Sequence, residues 1–110
     1  IGRKSLYMII ACDFDGVLID RRGIPRPEHF EKDKPMKDAR EAVKFLIERG
    51  HEVFILTSRR ADNWPKIRRW LEKHDFPWLR ITDTKENATI YLDDRAIRFT
   101  NWLDFIKLIE

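Results

Sequence analysis

Residues 9–18 read Ile-Ile-Ala-Cys-Asp-Phe-Asp-Gly-Val-Leu, an apolar run that ends in two carboxylates spaced two positions apart. A buried strand has no structural need for charge at its end, so Asp13 and Asp15 indicate a functional site. Because alternate residues of a strand point to opposite faces, a turn at Gly16 is needed to bring both carboxylates together. Ligands of open α/β sheets bind at the carboxyl ends of the strands, so we expect the chemistry there.

The rest of the chain alternates between strand and helix patterns. Strands are predicted over 8–14, 52–57, 78–82 and 88–92, with a short edge strand over 97–100. Helices are predicted over 37–49, over a segment capped by Asp62 or Asn63 with Pro65 in its first turn, and over 101–109. Residues 16–35 predict a loop or small hairpin with a turn at Arg22-Gly23. This order predicts a three-layer, Rossmann-like α/β fold with a central, mainly parallel sheet and helices on both faces.

Size and composition predict one small domain. The chain has 110 residues, and we expect residues 8–110 to form the domain, with residues 1–7 as an N-terminal arm, native or added. The net charge is only +3, so a strongly polyanionic partner is not required. Cys12 is the single cysteine, which excludes a disulfide framework and a cysteine metal site. The longest apolar run, residues 6–12, is shorter than the roughly 20 residues of a membrane span, so we expect a cytoplasmic protein without a membrane partner.

Polar side chains recur where the predicted strands end. Asp13 and Asp15 follow the first strand, Thr57 and Ser58 follow the second, and Asp93-Asp94 follow the fourth. Since parallel strands end at one edge of the sheet, these groups converge, and Lys85 can reach the same edge from its loop. Several carboxylates around one crevice repel each other unless a hard cation with oxygen ligands is present, which favours Mg²⁺. A threonine hydroxyl and a lysine ammonium then suit a phosphoryl group held against the metal.

The ordered set of motifs resembles the haloacid dehalogenase (HAD) superfamily. The motifs are residues 13–18, residues 54–57 ending in Thr57, Lys85, and residues 91–94 ending in Asp93-Asp94. Residues 85–95 also resemble small phage and bacterial HAD-like phosphatases, and the Asp-Asp-Arg ending is similar to that of the phosphatase domain of polynucleotide kinase-phosphatase. The resemblance extends from about residue 8 to the end of the chain.

This resemblance implies a Mg²⁺-dependent phosphatase that acts through an aspartyl-phosphate. Asp13 would be the nucleophile, and Asp15 would protonate the leaving oxygen and later deprotonate the attacking water. Thr57 would hydrogen-bond the phosphoryl oxygens, and Lys85 would offset the negative charge. The metal would be held by the Asp13 carboxylate, the Asp15 carbonyl and Asp94, with Asp93 acting through water or orienting Lys85.

The spacing of the motifs leaves no room for a cap domain. Only 41 residues separate Asp15 from Thr57, and 27 separate Thr57 from Lys85. An open site suits a phosphate on a large molecule, such as a nucleotide or nucleic-acid end or a phosphoprotein, or a site closed by a second copy in a homo-oligomer. The candidate substrate-binding residues are Ser58, Arg59 and Arg60 after the second strand, and Arg21, Arg22, His29 and Phe30 in the flap.

Three other interpretations of the same residues are weaker. A receiver domain would also use acidic residues, Thr and Lys, but its phosphorylated Asp follows a middle strand and its Lys comes late. A toprim-like nuclease would need Glu after the first strand and Asp-x-Asp later, which is the reverse of this order. A HAD fold that serves as a binding or regulatory module without turnover stays open as an alternative.

Overall fold

A computed structural model describes residues 7–21, 30–93 and 101–110. Its strands are β1 (Ile9–Cys12), β2 (Glu52–Leu56), β3 (Ile81–Thr82) and β4 (Ile90–Leu92). Its helices are α1 (Ala39–Glu48), α2 (Trp64–Lys73), preceded by a 3₁₀ turn over Ala61–Asn63, and α3 (Trp102–Ile109). The predicted elements within these ranges are confirmed, and those with two predicted ends are each one to three residues shorter than predicted. The predicted edge strand over 97–100 and the Arg22-Gly23 turn lie outside the described residues.

The four strands form one parallel sheet in the order β3-β2-β1-β4. The strand β1 therefore lies inside the sheet, paired with β2 on one side and β4 on the other. This confirms the α/β, Rossmann-like fold class with a parallel central sheet. Because all four strands run the same way, their carboxyl ends share one edge, as the sequence predicted.

The helices bury their apolar sides in one cluster with one face of the sheet. This face presents Ile10 and Cys12 of β1 beside Val53 and Ile55 of β2. The cluster also includes four residues of α1, three of α2, and Trp102 and Phe105 of α3. A continuous apolar core on this face is the main source of stability in a domain of this size.

The opposite face of the sheet is covered by a loop and long side chains. Ala11 of β1 lies between Phe54 and Tyr91 in a row across three strands, and Phe54 is fully buried. The Arg80 guanidinium lies 4.2 Å from the centre of the Phe54 ring and pairs with Glu86. The sequence predicted helices on both faces, but in the described part of the chain this layer is the loop between β3 and β4. Seven residues link these strands, and they are too few for a packed helix with its connections.

The turn after β1 and the flap that follows it are tied to the core. Gly16 has a φ of 82°, a left-handed conformation that favours glycine, and it turns the chain back so that Leu18 bonds to Phe14. Asp20 N–H donates to the Lys34 carbonyl at 2.8 Å, which pairs the two described ends of the flap. The prediction of a loop or small hairpin here is confirmed for these ends.

Helix boundaries follow local backbone chemistry rather than the apolar pattern. The helix α1 begins at Ala39 because Asp38 has a left-handed φ of 66°, and the chain leaves the helix through Gly50 at φ 92°. The helix α3 is capped by Asn101, whose side chain accepts a hydrogen bond from Asp104 N–H. The predicted cap by Asp62 or Asn63 is not made by a side chain, because Asn63 ends a 3₁₀ turn that leads directly into α2.

None of the helices in the described ranges has the length and apolar character needed to cross a bilayer.

We predict that His74 makes the stability of the domain pH-dependent. Its Nε2 atom is buried without a hydrogen-bond partner in the described ranges, and burial lowers its pKa below the ordinary 6.5. As the pH falls through 6.5, the unfolded chain takes up a proton that the folded chain does not, so stability is lost in that range. Urea unfolding at pH 7.5 and pH 5.5 measures this loss. In a His74→Leu variant the loss should be smaller, and an equal loss in both proteins would contradict the prediction.

Candidate active site

A cleft of about 520 Å³ opens at the carboxyl edge of the sheet. It lies on the side of Ala11, Leu56 and Tyr91, the face that carries no helix in the described ranges. Its polar lining residues are Asp13, Asp15, Thr57, Ser58, Asp83, Lys85 and Asp93. The structure therefore brings together the four predicted catalytic residues. The same lining contains Asp93, a predicted metal ligand, and Ser58, a predicted substrate-binding residue.

Strand alternation explains why the first and last acidic motifs meet. Asp13 continues the side of β1 that carries Ala11, and Asp93 continues the side of β4 that carries Tyr91. Asp13 N–H donates to the carbonyl of Leu92 at 3.0 Å, so the pairing of β1 with β4 extends one residue past the strands. Both carboxylates consequently lie in the same cleft.

Asp15 reaches the cleft through the turn and is held there by two arginines. The Arg59 guanidinium donates from Nε to Oδ2 and from its terminal nitrogen to Oδ1 of Asp15, each at 2.8 Å. Arg21 adds a third contact, with its Nε 3.5 Å from Asp15 Oδ1, and it also pairs with Asp33 at 3.3 Å. A bidentate Arg–carboxylate pair fixes orientation as well as charge, so Asp15 is a pre-positioned group.

Arg59 is itself packed as tightly as a core residue. Only 9% of its side chain is exposed, and its guanidinium lies 4.5 Å from the centre of the Phe30 ring. Phe30 is fully buried and packs edge-on against Phe14, the residue between the two aspartates. The sequence predicted Arg59 and Arg21 as contacts of substrate phosphate, whereas in the structure both contact the Asp15 carboxylate.

Thr57 is the buried polar residue of the cleft. It is 3% exposed, its N–H donates to the Thr82 carbonyl at 3.0 Å, and its hydroxyl accepts from Arg59 N–H at 3.1 Å. The hydroxyl proton therefore stays available for an oxygen in the cleft. Ser58 follows it and is exposed on the lining.

Lys85 enters the cleft from the loop before β4. Its ammonium lies 4.8 Å from the centre of the Tyr91 ring, a cation–π contact that holds an exposed side chain near the cleft. Asp83 is a lining residue that the sequence reasoning missed. It directly follows β3 as Asp13 follows β1, so the strand-end rule would have found it had β3 been treated like the other strands.

Several predicted site residues are not brought to the cleft lining. Arg60 is exposed and is not among the residues that line it. Arg22, His29 and Asp94 lie outside the described residues. Across residues 7–21, 30–93 and 101–110, no group of three His, Cys, Asp or Glu side chains is arranged to hold a metal ion.

Cys12 is adjacent to the site but chemically inert there. It is fully buried, and burial together with the nearby Asp13 raises the pKa of its thiol far above the physiological range. The thiolate is the nucleophilic form of cysteine, so Cys12 acts as a small core residue.

No protein-family model matches the sequence, and no curated protein matches it significantly. Among solved structures, the chain is similar to a conserved protein from Bacteroides thetaiotaomicron, with 21% identity, a TM-score of 0.75, and coverage of 94% of this chain and 90% of that one. It is also similar to a chain of the Pnkp1/Rnl/Hen1 complex, with 21% identity and a TM-score of 0.56 over 78% of this chain and 32% of that one. A second structure, of the Pnkp1/Rnl/Hen1 RNA repair complex, gives 20% identity and a TM-score of 0.55 over 81% and 30%. At these identities the likeness shows a shared fold, and this chain spans about a third of the chains in those complexes.

We predict that the Asp15–Arg59 pair stabilises the fold. Replacing Arg59 with Ala removes two charge-assisted hydrogen bonds and the contact with Phe30, and we expect the free energy of unfolding to fall by about 1–3 kcal/mol. Urea unfolding checks this. The matched control is Arg60→Ala, an exposed neighbour that should change stability by less than about 0.5 kcal/mol. Equal effects of the two substitutions would show that the pair contributes nothing.

Proposed function

We propose that the protein is a Mg²⁺-dependent phosphomonoesterase of the HAD type that acts through an aspartyl-phosphate. The observation that carries this proposal is the common cleft that contains Asp13, Asp15, Thr57 and Lys85. The four residues come from three separate parts of the chain, and each is of the chemical type that phosphoryl transfer requires.

In the first step, an Asp13 carboxylate oxygen attacks phosphorus in line with the leaving oxygen. The bond from phosphorus to the leaving oxygen breaks, and that oxygen takes a proton from Asp15, which must first be protonated from solvent on one of the two oxygens that accept from Arg59. The Thr57 hydroxyl donates to a phosphoryl oxygen, and the Lys85 ammonium offsets the charge that gathers there. The product is an alcohol and a phosphate ester on Asp13.

In the second step, Asp15 removes a proton from a water molecule that attacks the same phosphorus. The bond from phosphorus to Asp13 breaks, which releases inorganic phosphate and restores the Asp13 carboxylate. Arg59 and Arg21 act on this chemistry through Asp15, because their hydrogen bonds hold its carboxylate in one orientation. They are positioning residues in this scheme.

The donor set of the cleft fits Mg²⁺. Asp13 and Asp93 supply carboxylate oxygens on the same lining, and Asp94, outside the described residues, follows directly in sequence. One or two carboxylates completed by waters and a substrate phosphate are the usual environment of this ion in proteins. When bound, Mg²⁺ neutralises the charge shared by the carboxylates and the phosphoryl group, which lets Asp13 approach phosphorus.

The open cleft favours a phosphate carried by a large molecule. In the described ranges no second domain covers it, so a small substrate would stay exposed to water on one side. A nucleic-acid end fits this geometry, since the rest of the strand can bind outside the cleft. Two of the similar solved structures belong to an RNA repair complex, which makes an RNA end a sensible first substrate to test.

We expect Asp13→Asn to abolish the hydrolysis of an aryl phosphate, with a loss of at least roughly 10³-fold, because the amide cannot act as the nucleophile. The control is Asp62→Asn, an exposed residue away from the cleft, which should keep full turnover. Urea unfolding should show that both variants are folded. Turnover by a folded Asp13→Asn protein would rule out the aspartyl-phosphate.

The aspartyl-phosphate can be trapped by changing Asp15. An aryl phosphate has a good leaving group, so Asp15→Asn should still allow the first step but slow the attack of water. Mass spectrometry of the quenched protein should then show one added phosphoryl group on residues 13–15. An unmodified protein that has released the aryl alcohol would exclude this intermediate.

Removal of divalent metal provides a separate test. We expect EDTA to abolish turnover and added Mg²⁺ to restore it, while Ca²⁺ restores less because it takes more ligands at longer distances. The Asp93→Asn variant should need a higher Mg²⁺ concentration for half-maximal activity. Full activity in EDTA would contradict the metal model without affecting the assignment of Asp13.

A further inference from the structure

A strongly basic surface begins beside the cleft and follows α2. Residues 59–80 contain seven Lys or Arg against three Asp or Glu, a net charge of +4, while the whole chain has a net charge of +3. The segment starts directly after Ser58, which lines the cleft, and ends at Arg80, just before β3, which pairs with the last two residues of β2. The positive charge of the protein is therefore concentrated along one path that leads away from the site.

Part of this charge is already neutralised within the fold. Arg59 pairs with Asp15, Lys66 lies 3.7 Å from Glu31, and Arg80 pairs with Glu52 and Glu86. Three cations, Arg60, Arg69 and Lys73, are exposed and make no ion pair with an acidic residue in the described ranges. Exposed cations of this kind are available for phosphates.

An aromatic platform lies on the same path, beside the middle of α2. Trp78 is 71% exposed, and the Arg68 guanidinium lies over its ring, 4.7 Å from the centroid. Arg68 also donates to the Leu79 carbonyl, so its position on the ring is fixed by the backbone. A stacked pair of an indole and a guanidinium offers a flat, cationic surface, which is the kind of group on which nucleic-acid bases stack.

We propose that this surface binds the body of a single-stranded polynucleotide whose phosphorylated end occupies the cleft. The strand passes Arg60, follows the exposed side of α2 at Arg69, and stacks a base on Trp78. Arg68, the fifth of the ten residues of α2, lies over Trp78, so the stacking position is about 6 Å along the helix axis from its first residue and a few nucleotides reach from the cleft to Trp78. We name this surface, Arg60, Arg68, Arg69 and Trp78, the strand-binding surface.

The chemistry favours a polynucleotide over an acidic protein. Free cations alone would suit either partner, but an exposed tryptophan held under an arginine adds a π-face that every base can use and that a run of Asp or Glu cannot. The single-stranded form is preferred because its bases are free to stack.

This inference rests on the proposed phosphatase in one respect, which is that a phosphorylated end occupies the cleft. Binding of the strand can be tested without turnover. The experiment titrates the full chain into fluorescein-labelled, unphosphorylated single-stranded RNA and DNA and follows anisotropy at several salt concentrations. We expect Trp78→Ala to weaken binding by roughly 5- to 150-fold, the range for losing one base–aromatic stack. Arg69→Gln should lower the slope of log affinity against log salt by about 0.7, as expected for one lost phosphate contact.

Matched controls come from α3, which lies outside residues 59–80. Leu108→Ala removes an apolar side chain that is 72% exposed, and Lys107→Gln removes an exposed charge; neither should change affinity. Trp78→Phe should retain more affinity than Trp78→Ala.

Three outcomes would overturn the proposal. The first is the absence of oligonucleotide binding at low salt. The second is an equal effect of Trp78→Ala and Leu108→Ala. The third is that heparin displaces the oligonucleotide completely and binds the Trp78→Ala variant as tightly as the wild type. This result would assign the surface to polyanions in general. The wild type could lack phosphatase activity while Trp78→Ala still loses oligonucleotide binding. That result would support the strand-binding surface and would reject only the proposed phosphatase.

Discussion

The parallel pairing of β1 with β2 on one side and with β4 on the other is the constraint on which the rest of the structure depends. Because the three strands run in one direction, their carboxyl ends lie together, and residues that are distant in sequence meet there. Asp13, Thr57 and Asp93 occupy one cleft for this reason. The apolar cluster under the helices stabilises the sheet and leaves this edge free to carry charge.

The two faces of the sheet have different roles. One face packs the helices, while the other, around Ala11 and Tyr91, forms the floor of the cleft. The short link between β3 and β4 is what makes this possible, since a helix there would cover the floor. In its place the loop contributes Asp83 and Lys85 to the lining. A short connection thus exposes the site and also supplies part of it.

The fold class and much of the site could be predicted from the sequence. Buried strands have distinct apolar patterns, and the polar residues at their ends are visible as soon as the strands are placed, as with Asp13, Thr57 and Asp93. Asp83 was missed because β3 has only two residues and a weak pattern. The sequence predicted helices on both faces, whereas the three helices of the described ranges pack in one apolar cluster with one face of the sheet.

By itself, the sequence determined which residue types stand at the strand ends, because hydrophobic periodicity reports local structure and order along the chain. The partner of each charged group was decided only by tertiary structure. Arg59 follows Thr57 in the chain, which suggested a substrate contact, yet its guanidinium turns to Asp15 and packs on Phe30. The pairing of Arg68 with Trp78 is likewise absent from any sequence pattern. Such contacts depend on how helix, strand and flap are placed in space. The sequence position of a charged residue does not show which neighbour will bury it and pair with it.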